Sequence, residues 1–117
     1  MTEGLLTEQR IEALLSELFE ALHEERCAAE QLTIARKDTE FFHAKTLLEN
    51  PPVGKNAEER AREVAVILAE PEPVKATNRR IEAERCLERA KARVELARTA
   101  VGLWEALAYQ SAGHASE

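Results

Sequence analysis

Alanine recurs every seventh residue at Ala83, Ala90 and Ala97, and Trp104 takes the next place in the series. Seven residues are just under two helical turns, so a helix rotates such positions by only about 20° per repeat and keeps them on one side. A second series, Ala21, Ala28 and Ala35, runs between Leu14 and Phe42. Small side chains at one heptad position let a neighbouring helix come close, while Leu87, Val94 and Val101 fill the adjacent rows. Alanine's helix propensity alone favours helices here; the seven-residue spacing adds the seam. Two such series predict two long helices that pack on each other or on equivalent helices of another copy.

The chain divides at its prolines. Ile11, Leu14, Leu15, Leu18, Phe19 and Leu22 recur at three- and four-residue steps, and no Pro or Gly interrupts the sequence from Thr7 to Glu49. This predicts a first helix over about 7–49, roughly 60 Å long at 1.5 Å per residue. The stretch "ENPPVGKNAEER" breaks it, because paired prolines cannot continue a helix and Gly54 permits a turn of unusual dihedral angles. The turn covers 50–56. Asn56 and Glu59 have the spacing of a capping box for a second helix over about 57–69, with Ala61, Val64, Ile67 and Leu68 on its apolar face. "EPEPV" predicts a loop over 70–76, followed by a third helix over about 77–109 and a tail over 110–117. The expected fold is a single all-α domain, with two long helices and a short middle helix forming an antiparallel helical hairpin or coiled-coil bundle.

Charge is distributed unevenly. The net charge is −6, but residues 1–30 carry eight Glu against Arg10 and Arg26, while residues 75–98 carry eight Lys or Arg against four Glu. An acidic beginning and a basic later segment can neutralise each other within a chain or between copies. Left unpaired, the basic segment can meet phosphates. Aromatics make up only 4% of the chain, which disfavours ring-lined pockets. No run approaches the roughly 18 apolar residues of a membrane span, and Cys27 and Cys86 form no CxxC pair. A soluble cytoplasmic protein with reduced thiols is expected, without membrane association.

Motifs that carry chemistry are few. Glu20 with His23 and Glu40 with His43 both have the ExxH spacing of di-iron bundles, but roughly 30 Å of helix separates them and bridging glutamates from other helices are not evident. Gly54 and Lys55 lack the second upstream glycine and the following Ser or Thr of a phosphate loop. The cysteines stand in no nucleophile motif. The reading is therefore non-enzymatic, with no catalytic residue, cofactor or metal.

Helical projection of the third helix places Leu87, Val94, Val101 and the alanines on one side, and Ile81, Leu96, Leu103 and Leu107 on a second stripe. Two apolar stripes call for two neighbours: the second helix or another subunit. The expected interface set is Ala83, Leu87, Ala90, Val94, Leu96, Ala97, Val101, Leu103, Trp104 and Leu107. Lys75, Arg79, Arg85, Arg89 and Arg93 project within about a third of the circumference and form a strip able to track a phosphate backbone, in a sequence-tolerant and salt-sensitive manner. The competing reading pairs this strip with the acidic first helix, within the chain or between copies. A separate interaction-module reading docks the acidic helix on a basic partner surface through Glu12, Glu17, Glu20 and Glu24.

The succession of a long charged helix, the turn "GKNAEER", a short helix ending in "ILAEPEPV" and then "NRRIEAERCLERAKARVELARTAVGLWEAL" resembles small helical phage proteins of recombination gene clusters. More distantly it is similar to the UvsY-type recombination mediators. The resemblance covers about residues 40–107. It implies a helical homo-oligomer in the bacterial host cell that binds single-stranded DNA and helps load a recombinase onto strands coated by single-strand-binding protein. Under it Lys55, Arg60, Arg79, Arg80, Arg85 and Arg89 become candidates for DNA contact. The alternative is a coiled-coil adaptor or acidic inhibitor that binds a basic protein partner without DNA.

Overall fold

The computed structural model describes residues 8–115, with side chains from 8 to 110. Three helices account for nearly all of them: α1 (Arg10–Glu49), α2 (Ala57–Ile67) and α3 (Pro71–Ala115). No strand occurs among the described residues, so the all-α class with two long helices and a short middle one holds. The chain forms two compact units, residues 1–28 with 87–117, and residues 29–86.

In the first unit the alanine series does what its spacing implies. Ala21 is fully buried and packs in one cluster with Val94 and Ala97, against which Leu18 and Leu22 lie. Ala90 is also buried, while Leu87, Val101 and Trp104 are half-buried. On α1 the half-buried Ile11, Leu14, Leu18, Glu25 and Ala28, with the buried Ala21 among them, follow alternate three- and four-residue steps, which is the heptad seam. The segments run antiparallel, since the early residues of α1 meet the later part of α3. A buried methyl contributes only about 0.8 kcal/mol, so this seam gains from close backbone approach and many small contacts.

The second unit continues the heptad pattern with different chemistry. Leu32, Thr39 and Thr46 are buried on α1, and Pro73 and Ala76 on α3. Thr39 Oγ1 donates to the Ala35 carbonyl at 2.7 Å and lies 3.1 Å from the Ala76 carbonyl across the seam. Thr46 Oγ1 donates to Phe42 of its own helix at 2.7 Å. Both hydroxyls are thereby satisfied, which is the condition for burying them. Ala83 is half-buried.

The turn before α2 is braced by its own side chains. Asn56 Oδ1 accepts from the Glu59 amide at 2.8 Å, and Glu59 Oε2 accepts from the Lys55 amide at 3.0 Å. This is the expected capping pair, with its return bond moved one residue before the cap. Glu63 Oε2 accepts from the Val53 and Gly54 amides at 2.7 and 3.1 Å. Gly54 corrects the sequence reading: no positive φ occurs, and a Cβ there would lie 2.8 Å from Glu59 Cβ and 2.9 Å from the Arg60 amide nitrogen. Close approach, not a special dihedral angle, requires glycine.

Two boundaries also differ from expectation. The loop over 70–76 is mostly helix, because α3 starts at Pro71, with the Val74 amide bonded to the Glu70 carbonyl at 3.1 Å. Pro71 and Pro73 occupy the first turn, where their missing N–H groups would have had no helical acceptor. The expected tail over 110–117 is helical through Ala115, since nothing in "QSAGHA" forbids continuation. The first helix begins at Arg10; Thr7 lies outside the described residues.

Candidate interaction surface

The two stripes of α3 have different fates. Of the expected interface residues, Ala90, Val94 and Ala97 are buried and Ala83, Leu87, Val101 and Trp104 half-buried against their own units. Leu96, Leu103 and Leu107 are instead exposed by 72%, 63% and 62%. Nothing among the described residues covers them. Ala92, Thr99 and Ala106 are exposed on the same side, so positions 92, 96, 99, 103 and 106 repeat in solvent the small-and-branched alternation that α3 buries on its other side. Thr99 Oγ1 donates to the Glu95 carbonyl at 2.9 Å, which ties its hydroxyl to its own helix. Uncharged from 92 to 107 along that line, the face is an apolar strip of the kind that marks an interaction site.

Arg93 lies one turn before Leu96 and reaches across to α1. Its guanidinium donates to Glu24, and lies 3.4 Å from Glu17 and 3.5 Å from Glu20. The hydrogen bond and charge of Glu24, with those of Glu17, hold the guanidinium above its ordinary pKa against a smaller opposing effect of desolvation. Arg93 is thus bound to three of the four glutamates of the acidic face, and the competing reading of the basic strip holds at this position. Glu12 is exposed.

The other candidate bases are dispersed. In the second unit Arg60 Nη1 donates to the Gly54 carbonyl at 3.1 Å and braces the turn, while the exposed Lys55 has its amide bound by Glu59. Arg80 is half-buried, 3.7 Å from Glu84, with its Nε buried and unbonded. Lys75, Arg79 and Arg85 are exposed. Arg79 lines a shallow cleft of about 250 Å³ with Gln31, Ile34, Ala35, Asp38, Ala76 and Ala83. Arg89 in the first unit is exposed.

Each ExxH histidine makes a contact that the motif did not suggest. His43 Nε2 is 3.2 Å from Thr77 Oγ1, and His23 Nε2 is 3.6 Å from Cys27 Sγ. Among the described residues no group of three or more His, Cys, Asp or Glu side chains gathers to hold a metal. No described helix is long and apolar enough to cross a membrane. Thr39, Thr46 and the histidine contacts escaped the sequence reading because polar residues on a seam leave no mark in apolar periodicity. Comparison with protein-family models, with characterised proteins and with solved structures finds no match to this chain.

Proposed function

We propose that this chain is a non-enzymatic helical interaction protein that assembles with copies of itself through the exposed face of α3. The observation that carries the reading is the exposure of Leu96, Leu103 and Leu107 on one line of a helix whose opposite side is already packed. A second copy suits this face better than a charged partner. Two uncharged strips meet without bringing like charges together, and antiparallel pairing keeps the two Arg89 side chains at opposite ends. The small residues Ala92, Thr99 and Ala106 allow the approach that Ala90 and Ala97 allow on the buried side. Light scattering over a concentration series tests the reading. The wild-type chain is expected above its 13.1 kDa monomer mass, and Leu103→Glu at that mass with unchanged helicity. A wild-type chain that stays monomeric at high micromolar concentration rejects it.

A second reading, contact with single-stranded DNA in recombination or replication alongside a recombinase or single-strand-binding protein, draws support from Lys75, Arg79 and Arg85. These are exposed and form no ion pair among the described residues, unlike Arg93. Assembly would multiply such weak phosphate contacts. Fluorescence anisotropy of a labelled oligonucleotide should rise at low salt and stay flat for the triple variant Lys75→Glu, Arg79→Glu, Arg85→Glu. No rise for the wild type leaves the adaptor reading in its place.

A further inference from the structure

His23 and Cys27 stand one turn apart on the exposed side of α1, with Nε2 and Sγ 3.6 Å from each other. Metal–sulfur bonds of about 2.3 Å and metal–nitrogen bonds of about 2.0–2.1 Å, joined at a tetrahedral angle, also set sulfur and nitrogen about 3.6 Å apart. The helix thus holds a thiol and an imidazole at the separation that one tetrahedral ion spans. A thiolate with an imidazole is a soft donor set that selects zinc-class ions over magnesium or calcium. We propose that His23 and Cys27 of one chain bind a single soft divalent cation of the zinc class, with water completing the coordination.

On binding, the Cys27 thiol releases its proton to solvent as the sulfur–metal bond forms, and His23 coordinates through the neutral Nε2. Glu20, one turn before His23, is turned toward Arg93 at 3.5 Å and is not counted as a ligand. Cys86 provides the internal control, since its Sγ lies 3.8 Å from the Glu82 carboxylate rather than beside an imidazole. The proposal is independent of self-assembly.

Cobalt(II) titration of the full chain under reducing conditions tests it, read by thiolate-to-cobalt charge-transfer absorption and reversed by zinc. The wild type and Cys86→Ser should both develop the band with one equivalent of ion per chain. Cys27→Ser should abolish it, and His23→Gln should weaken binding by roughly tenfold or more. Both residues are exposed, so circular dichroism should show unchanged helicity in every variant. Absence of the band in the wild type, its survival in Cys27→Ser, unchanged affinity in His23→Gln, or its loss in Cys86→Ser each overturns the proposal.

Discussion

Arg93 on α3 donates through its guanidinium to Glu24 on α1, and the same group collects Glu17 and Glu20 within 3.5 Å. One cation on one helix thus holds three carboxylates spaced over two turns of the other. The arrangement places charge beside an alanine seam too thin to offer much apolar area.

Arg93→Ala removes the counter-charge that Glu17, Glu20 and Glu24 share. Thermal melts should show a lower Tm at low ionic strength, and the difference should shrink in high salt, where exposed charges are screened. Because the folded-state pKa of Arg93 is raised, its contribution is fully present below the ordinary guanidinium range and is lost only as pH rises through the higher folded value. An equal Tm at all salt concentrations would show that the cluster contributes nothing.

Ala21→Leu forces a large side chain into a position with no exposed surface. Overpacking of this kind costs about 1–3 kcal/mol. Ala92→Leu, on the exposed side of α3, should change monomer stability by no more than about 0.5 kcal/mol. Urea denaturation of both variants measures the contrast.

Thr39 and Thr46 are both buried and each donates to its own helix, yet only the Thr39 hydroxyl also lies within 3.1 Å of a carbonyl across the seam. Thr39→Val should therefore cost about 1 kcal/mol, the net value of a hydrogen bond. Thr46→Val, which removes only a bond to its own helix, should cost less. A reversed order in chemical denaturation would contradict the assigned bonding.

Asn56→Ala removes the acceptor for the Glu59 amide and should cost about 1 kcal/mol. Gly54→Ala should be destabilising as well, through the 2.8 Å approach of its new Cβ to Glu59, although its backbone angles suit any residue. Hydrogen exchange of the α2 amides should rise in both variants.

The helices and their main seam were determined by sequence alone. Heptad alanines, the Pro51–Pro52 break and the Asn56 cap are local signals, and each acts through the few residues around it. Tertiary structure decided the rest. Whether the second stripe, Leu96, Leu103 and Leu107, is covered as well depends on a further neighbour, and no local signal says whether one is there. Whether Arg93 is a phosphate-binding base or the partner of Glu24 depends on a residue 69 positions away in the chain. Thr39 reads as a surface residue until the Ala76 carbonyl comes within reach. Periodicity records what a side chain prefers; burial and pairing depend on what lies opposite, and only packing brings that into place.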